Sequence, residues 1–199
     1  MRICLIHGPL GPAFRDLGHE VLELTPSPGL FDIHTTLDRA GFAPDLLIQT
    51  ELLGPRVLLT GLPELAGIKI FWSVDTHLNA FWHAHYGGLF DAVATTQPSW
   101  APRLAKFGPI QAFALPSCGC VGPWKPFARR ARPVAFCGRL GTSRPVRQRF
   151  ADMLREEFQA EIVEDLPWQE MLGLYADTRL VPNESIAGEI NFRLFEATA

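Results

Sequence analysis

Residues 68–97 read IKIFWSVDTHLNAFWHAHYGGLFDAVATTQ, and two short apolar runs frame this stretch. The runs IKIFWSVD (68–75) and LFDAVATTQ (89–97) have the length and the β-branched and aromatic content of buried strands. A polar and aromatic segment that carries three of the chain's six histidines separates them. Short apolar strands that alternate with longer intervening segments predict a parallel sheet covered by helices.

The same alternation extends from this stretch toward the N-terminus and onward to residue 116. Further strands are predicted at 2–7, 19–25, 44–51 and 110–116. Helical patterns follow the first strand and cover 98–108, where Pro98 stands near the start, and a helix-like segment precedes residue 68. The predicted fold class is therefore α/β, with parallel sheets of the Rossmann-like kind.

A change of composition at residues 117–133 predicts a second domain. This segment, SCGCVGPWKPFARRARP, is rich in Gly, Pro and Arg and lacks periodicity, as linkers do. A second alternating series follows, with strands predicted at 133–141, 160–166 and 179–184 and helices at 142–158, 168–178 and 188–199. We place the domains at 1–120 and 121–199.

We expect the second domain to be incomplete. Its last helix, 188–199, reaches the chain end without a Gly or Asn cap. About three βα units are few for an independent open sheet. A small three-stranded lobe packed on the first domain is the alternative. An unpaired edge of such a short sheet would favour a homodimer.

The bulk composition excludes several classes of partner. The chain has 199 residues, 47% of them hydrophobic and 20% charged, with a formal net charge of −3. This charge gives no reason to expect nucleic acid or an anionic membrane as a partner. We expect no signal peptide, because the first apolar run is too short, and no apolar stretch approaches the ~20 residues that cross a bilayer. The four cysteines are badly spaced for a disulfide framework. We expect a cytoplasmic protein.

Asp75 and His77 are the candidate catalytic pair. Asp75 ends a predicted strand and His77 lies just beyond it, at the sheet edge where open parallel sheets bind ligands. A histidine beside a carboxylate can serve as a general base, because the carboxylate fixes its tautomer. Together with His83 and His85, the pair would bind a metal only if the segment folds back on itself, since those two histidines point in different directions on a helix. The aromatic residues of the segment are interpreted as core, or as faces for a sugar or base.

The turn after the strand 133–141 is the candidate anion site. It combines glycines, hydroxyls and arginines at a helix N-terminus, namely Gly138, Arg139, Gly141, Thr142 and Arg144. Arginine and helix-terminal N–H groups suit a diphosphate, and Arg144 in the first turn opposes the helix dipole unless an anion binds. Solvated arginines with Thr142 or Ser143 as N-cap are the alternative. Residues 7–11 favour a plain tight turn over a phosphate loop.

Polar residues near the C-terminus form a third candidate cluster. Asn183 and Ser185 follow the last predicted strand, and Glu189 and Glu196 lie on the next helix. A carboxylate near a helix start can accept hydrogen bonds from ribose hydroxyls. An intrahelical pair between Glu196 and Arg193 is the simpler explanation.

The chain resembles the bacterial glycosyltransferases of the two-Rossmann-domain (GT-B) type, in particular their spore-maturation-protein-like branch. The resemblance covers most of residues 44–199, and the order of the motifs carries it. The motifs are IFWSVDTHLN (70–79), LFDAVATTQ (89–97), LPSCGC (115–120), VAFCGRLGTSR (134–144), LYADTRLVPNES (174–185) and EINFRLFEATA (189–199).

The resemblance implies a function and a set of roles. The protein would transfer a sugar from a nucleotide-diphosphate sugar to an acceptor, without an obligatory metal or other cofactor. The second domain would bind the donor and the first the acceptor, with Asp75 and His77 as base or acceptor-orienting groups. Gly138, Arg139, Gly141 and Arg144 would hold the diphosphate and Glu196 the ribose, with Asn183, Ser185 and Glu189 near the donor sugar.

Two departures from the family pattern concern the donor side. Many relatives carry two glutamates eight residues apart, whereas Glu189 and Glu196 are seven apart. The family pattern also continues beyond the point where this chain ends. The alternatives are a non-catalytic nucleotide- or sugar-binding or scaffold protein of the same fold, and a metal-dependent hydrolase built on the aspartate and histidines of residues 75–85.

Overall fold

The computed structural model describes residues 1–52, 54–107, 111–117, 122–141, 144–185 and 191–198. The chain divides into two compact units, Met1–Pro116 (unit 1) and Ser117–Ala199 (unit 2). This division falls close to the predicted boundary after residue 120. Among the described residues, no helix is both long enough and apolar enough to cross a bilayer.

Unit 1 is an α/β unit built on a six-stranded parallel sheet and is Rossmann-like in general character. Its strands are β1 (Arg2–Ile6), β2 (Glu20–Leu24), β3 (Gly29–Asp32), β4 (Leu46–Thr50), β5 (Val57–Thr60), β6 (Ile68–Ser73), β7 (Ala92–Thr95) and β8 (Gln111–Ala114). The sheet has the order β2-β1-β4-β6-β7-β8, and all its strands run parallel. The strands predicted around 68–75 and 89–97 are thus confirmed as neighbours, β6 and β7.

The helices of unit 1 fill the connections between the strands. They are α1 (Gly11–Asp16), α2 (Ile33–Ala40), α3 (Thr76–Tyr86) and α4 (Ala101–Leu104). Helix α2 begins at Asp32, whose carboxylate accepts a hydrogen bond from Thr35 N at 3.0 Å, and ends at Gly41 with φ of 61°. Helix α3 contains the histidine-rich segment of the sequence, so His77, His83 and His85 lie on one helix.

A separate pair of parallel strands, β3 and β5, was not predicted. Residues 57–60 read VLLT and fall within the segment interpreted as helix-like, and that interpretation is wrong there. Gly54 and Pro55 disfavour a helix immediately before this run, and its apolar residues pair with β3 instead. The pairing buries Val57 and Leu59 in the core of unit 1.

The core of unit 1 occupies both faces of the six-stranded sheet. Successive side chains of a strand point to opposite faces, so Ile3 and Leu5 pack in one cluster while Cys4 and Ile6 pack in the other. On β6, Phe71 and Trp72 divide in the same way. Burial raises the pKa of the Cys4 thiol to about 12, which agrees with its interpretation as a small hydrophobe.

Unit 2 is a smaller parallel α/β unit with the order β10-β9-β11. Its elements are β9 (Arg132–Cys137), α5 (Pro145–Phe158), β10 (Glu161–Val163), α6 (Trp168–Ala176), β11 (Thr178–Leu180) and α7 (Phe192–Thr198). Each face of the central strand β9 has its own apolar cluster, with Phe136 on one side and Ala135 and Cys137 on the other. Because β9 is the central strand, its carboxyl end lies at the middle of the carboxyl edge of this sheet.

Candidate functional site

A pocket opens in unit 1 where the strand order of its sheet reverses. The chain passes from β1 to β2 on one side and then returns to β4 on the other side, so the reversal lies between β1 and β4. Open parallel sheets bind ligands beyond the carboxyl ends of the strands at such a reversal. The pocket and the open solvent in front of it together take up about 240 Å³. Its lining includes His7, Gln49, Glu51, Arg56, Phe71 and Trp82.

His7 and Gly8 turn the chain sharply at the end of β1. Both lie in the left-handed region, with φ of 59° for His7 and 90° for Gly8. A Cβ atom at Gly8 would clash with the hydroxyl of Thr50, the last residue of β4. Glycine is therefore required for the turn to pass this close to β4. The tight turn predicted for residues 7–11 is confirmed, and it places His7 at the pocket.

Two opposing effects act on the pKa of His7. Burial lowers the pKa of His7, and a hydrogen bond to the backbone of Pro26 opposes this effect. Proline offers only a carbonyl, so the ring nitrogen donates. The Nε2 atom is buried and has no hydrogen-bond partner among the described residues. In the tautomer with its proton on Nδ1, a neutral His7 carries an unused lone pair on Nε2.

Glu51, the residue that follows β4, organises the carboxyl edge of the sheet. Its Oε2 accepts hydrogen bonds from Val74 N at 2.8 Å and Asp75 N at 2.7 Å. Its Oε1 accepts one from Asn79 Nδ2 at 2.6 Å and lies 3.2 Å from Nε2 of the fully buried His83, without the alignment of a hydrogen bond. Sequence reasoning missed this role, for which the only signal was an acid directly after a buried strand.

Asp75 and His77 begin α3, and the structure gives each of them identifiable partners. Asp75 donates its backbone N–H to Glu51 and accepts from the backbone of Leu78 and Asn79. Nδ1 of His77 lies 2.9 Å from Nε2 of Gln97, which follows β7. An amide NH₂ only donates, so Nδ1 accepts and the neutral His77 ring carries its proton on Nε2. In this arrangement His77 offers a donor, whereas the role of general base needs a free lone pair.

His83 and His85 do not join Asp75 and His77 in a metal site. His83 is buried against Glu51 and Ser73, whereas His85 is exposed. Among the described residues, no group of three or more His, Cys, Asp or Glu side chains is arranged to hold a metal ion.

The buried hydroxyls beneath His83 form a chain of hydrogen bonds. Nδ1 of His83 lies 2.7 Å from Oγ of Ser73, which lies 2.5 Å from Oγ1 of Thr76, and that atom lies 2.6 Å from Oγ1 of Thr95. The order of Glu51, His83 and Ser73 is that of an acid, a base and a nucleophile. Ser73 is completely buried, however, so the chain joins β6, α3 and β7 and offers no nucleophile to a substrate.

The aromatic residues of α3 serve partly as core and partly as pocket wall. Tyr86 donates its hydroxyl proton to Gln49 Oε1 and accepts from Leu59 N, each at 2.7 Å, and burial raises its pKa to about 12. Trp82 differs, because its buried Nε1 has no partner among the described residues and lies in a pocket-lining side chain. The Arg56 guanidinium lies 4.7 Å from the centre of the Trp82 ring.

In unit 2, the predicted diphosphate turn follows β9 and contacts the acidic end of β10. Leu140 N donates to Glu164 Oε2 at 2.8 Å, and Arg139 Nε lies 3.7 Å from Asp165 Oδ1. The Arg139 side chain is 74% exposed. Gly141 has φ of 115° and its carbonyl accepts from Arg144 N, which directly precedes α5. Thr142, also predicted here, lies outside the described residues.

Arg193 on α7 is the basic residue that reaches the carboxyl end of β9. Its Nε and Nη2 atoms donate to the Cys137 carbonyl at 3.3 and 2.9 Å, and its guanidinium stacks 4.3 Å from the centre of the Phe136 ring. Nη1 is buried without a hydrogen-bond partner among the described residues. A Cβ at Gly138 would lie 2.8 Å from Nη2, so this glycine makes room for the guanidinium.

The sequence had suggested a different environment for Arg193. An intrahelical pair with Glu196 was the simple expectation, and the guanidinium bonds to the end of β9 instead. The available signal was Gly138 directly after an apolar strand, since such a glycine permits a bulky group to approach the strand end.

Asn183 and Ser185 are both exposed after β11, and the residue between them is buried. Glu184 Oε2 accepts from Arg147 Nε of α5 at 2.6 Å, with side-chain exposures of 6% and 11%. Sequence reasoning singled out the two exposed neighbours and missed this ion pair, which ties the end of β11 to α5. Glu189 lies outside the described residues.

Glu196 lines a second pocket, within unit 2, of about 280 Å³ open to solvent. Trp124, Arg130 and Tyr175 also line it. Burial raises the pKa of Glu196, and the positive charge of Arg193 partly opposes this effect. A half-buried carboxyl group beside aromatic side chains can accept hydrogen bonds from hydroxyls in a partly desolvated setting.

Comparison with known proteins identifies no family: no family model matches the chain, and no curated protein is significantly similar to it.

Proposed function

We propose that this protein is a glycosyltransferase of the two-Rossmann-domain (GT-B) type, which transfers a sugar from a nucleotide-diphosphate sugar to an acceptor without requiring a metal. Unit 2 binds the donor in this proposal and unit 1 the acceptor. The support consists of the order of the sequence motifs and the parallel α/β architecture of both units.

The main structural support for this proposal is the position of Arg193 at the carboxyl end of β9. The carboxyl ends of parallel strands are the ligand-binding edge of such sheets. At this edge a guanidinium packs on Gly138 and retains one buried nitrogen that has no partner among the described residues. An unpartnered charged donor at this location suits a phosphate oxygen, which guanidinium groups bind strongly.

The chemistry of transfer requires positive charge at the leaving group. As the glycosidic bond breaks, the nucleotide diphosphate gains negative charge, and fixed cations and N–H groups aimed at it stabilise the transition state. Arg144, before the first turn of α5, and Arg193 supply this charge in the proposal. Arg139 contributes a third positive charge in the proposal when its side chain leaves the exposed contact with Asp165 and binds the diphosphate.

The proposal is tested by calorimetric titration of UDP, GDP, ADP and TDP against the intact protein. Arg193→Lys keeps the charge but removes the forked donor, and Arg144→Ala removes a charge beside the turn. Since a hydrogen bond to a charged group contributes about 1.5–3 kcal/mol, each change is expected to weaken binding about tenfold or more. Arg149→Ala is the matched control, because Arg149 is exposed on α5, the helix that Arg144 directly precedes.

Binding alone does not establish transfer, so the same nucleotides are then supplied as sugar conjugates. Release of nucleoside diphosphate from one of them, reduced in parallel with affinity in the Arg144 and Arg193 variants, supports the proposed reaction. The donor site is rejected by equal weakening in Arg144→Ala and Arg149→Ala. It is also rejected if none of the four nucleotides binds.

A binding protein without turnover is the second candidate. The observation in its favour is the Gln97 amide that donates to Nδ1 of His77, because the predicted base then has no free lone pair. Tight binding of a nucleotide sugar with no release of nucleoside diphosphate would favour this candidate over the transferase.

A further inference from the structure

We propose that the pocket between the ends of β1 and β4 binds a small hydroxylated carboxylic acid of the uronic-acid type. His7 accepts a hydroxyl proton in a hydrogen bond, and Arg56 and the Trp82 indole N–H bind the carboxylate. The proposal concerns unit 1 alone and does not depend on the diphosphate site of unit 2.

The position of the pocket is the first argument. It lies at the reversal of strand order, where open parallel sheets leave a crevice that the helices do not cover. The left-handed conformations of His7 and Gly8 bring the β1–α1 connection against the end of β4. A non-glycine residue with φ of 59° is conformationally costly, and such residues cluster at ligand sites.

Two unsatisfied nitrogen atoms are the second argument. Buried polar atoms without a partner are rare, because each loses its hydrogen bonds to water without replacement. Within the part of the chain that the structure describes, Nε2 of His7 and Nε1 of Trp82 are both of this kind, and their side chains line the same pocket. One is an acceptor and the other a donor, so a ligand that satisfies both must offer a donor and an acceptor.

The third argument is the positive charge of Arg56, which favours a ligand that carries a negative charge. Its guanidinium stacks on Trp82 and on Phe81, at 4.7 and 5.6 Å from the ring centres. No carboxylate lies within ion-pair distance of it in the part of the chain that the structure describes. A guanidinium beside two aromatic rings can present its forked N–H donors to a carboxylate.

Glu51 does not compete for these groups, although it lines the pocket. Its Oε2 is occupied by two backbone N–H groups and its Oε1 by the Asn79 amide. Besides the Gln49 amide and the Thr50 hydroxyl, the pocket therefore offers one lone pair, one N–H and one cation. A molecule with a hydroxyl group and a carboxylate matches all three.

The test is a calorimetric or NMR titration of the intact protein with D-glucuronate and D-galacturonate, and with D-glucose and D-galactose as neutral counterparts. Saturable binding of at least one uronate is expected, at least tenfold tighter than its neutral counterpart. Three variants remove one group each. Arg56→Gln removes the cation, Trp82→Phe removes the N–H but keeps a ring, and His7→Asn keeps a residue that tolerates the left-handed conformation.

Each variant is expected to lose at least fivefold in affinity for the uronate. Arg103→Gln is the matched control, because Arg103 also stacks on a tryptophan of unit 1, 4.8 Å from the centre of the Trp100 ring, but lies outside the pocket. Thermal unfolding of every variant confirms that it folds. Because the indole N–H has no partner in the described ranges of the chain, Trp82→Phe is expected to fold without loss of the surrounding hydrogen bonds.

Several outcomes would overturn the inference. They are the absence of saturable binding for both uronates, equal affinity for the uronates and the neutral sugars, and equal losses in Arg56→Gln and Arg103→Gln. Unchanged affinity in folded Trp82→Phe or His7→Asn also rejects it, since the two unsatisfied nitrogens would then have no part in binding. The nucleotide titrations of unit 2 report separately on the proposed transferase.

Discussion

Gly8 shows how one residue without a side chain determines the shape of the β1–α1 connection. Its φ of 90° is unfavourable for any L-residue with a Cβ, and the space that a Cβ would need is occupied by the Thr50 hydroxyl. Gly8→Ala is therefore expected to destabilise the protein by about 2 kcal/mol or more. Chemical denaturation of the variant measures this loss.

The control for this change is Gly18→Ala. Gly18 also has a positive φ, of 80°, but no atom lies near the position of its Cβ. Gly18→Ala measures the conformational cost alone, and the excess in Gly8→Ala measures the clash with Thr50. Equal losses in the two variants would mean that the turn can move away from β4.

His7 gives the stability of the protein a dependence on pH with a defined sign. Burial lowers its pKa in the folded state, so the unfolded chain binds a proton first as the pH falls. The stability due to His7 is fully present above the unfolded pKa of about 6.5 and is lost as the pH falls through the folded value. Urea unfolding of wild type and His7→Asn between about pH 8 and pH 5 measures the effect.

In this comparison the wild type is expected to lose more stability than the variant as the pH falls below about 6.5. The NMR titration of the His7 ring supplies an independent value of the folded pKa. A difference between the two proteins that stays constant over the pH range would show that burial does not hold His7 neutral.

At the scale of elements, Glu51 joins β4 to the β6–α3 junction. Glu51→Gln replaces one carboxylate oxygen by an NH₂ group, which cannot accept from Val74 N and Asp75 N or from the Asn79 amide. A buried donor without an acceptor costs about 1–3 kcal/mol, so a loss in this range is expected. Hydrogen exchange should report the loss first at the amides that begin α3.

Glu23→Gln is the comparison for this change. Glu23 lies on β2 and pairs with Arg15 at 2.5 Å, with side-chain exposures of 38% and 47%. A half-exposed pair contributes little, about 0–1 kcal/mol. Similar losses in both variants would contradict the central role of Glu51.

A strand could be predicted from the sequence when its own residues determine it, and could not when it forms only by pairing with a distant segment. Strands β6 and β7 followed from their own apolar runs. Strand β5 did not, because its four residues became a strand only by pairing with β3, a neighbour that the sequence does not identify. The order of strands in the sheet, and with it the pocket at His7, likewise depends on pairing.

The same distinction applies to side chains in the candidate sites. The glycine-rich turns were readable because glycine is itself a backbone signal. Arg193 and Glu184 were not, since a sequence shows neither that the guanidinium reaches the end of β9 nor that one residue of an exposed triplet turns inward. Asp75 and His77 were correctly expected at the end of a strand, but their partners Glu51 and Gln97 come from other parts of the chain.

At the scale of the whole molecule, each unit has a core of its own. Phe71 is fully buried in the core of unit 1, and Phe136 is fully buried in that of unit 2. The predictions of a cytoplasmic location and of a homodimer concern this scale as well. They stay predictions, to be examined by fractionation of cells and by sedimentation of the intact protein.

The separate cores lead to a reciprocal prediction. Phe71→Ala should reduce hydrogen-exchange protection mainly in β1, β4 and β6, and Phe136→Ala mainly in β9, β10 and β11, because a cavity destabilises the core in which it lies. Loss of a buried phenylalanine side chain costs about 3–5 kcal/mol. Phe158→Ala, at an end of α5 where the ring is exposed, makes the same chemical change outside either core and should alter stability by at most about 0.5 kcal/mol.

Equal loss of protection in both units after either core substitution would show that the two units unfold as one cooperative structure. The small sheet of unit 2 would then owe its stability to unit 1.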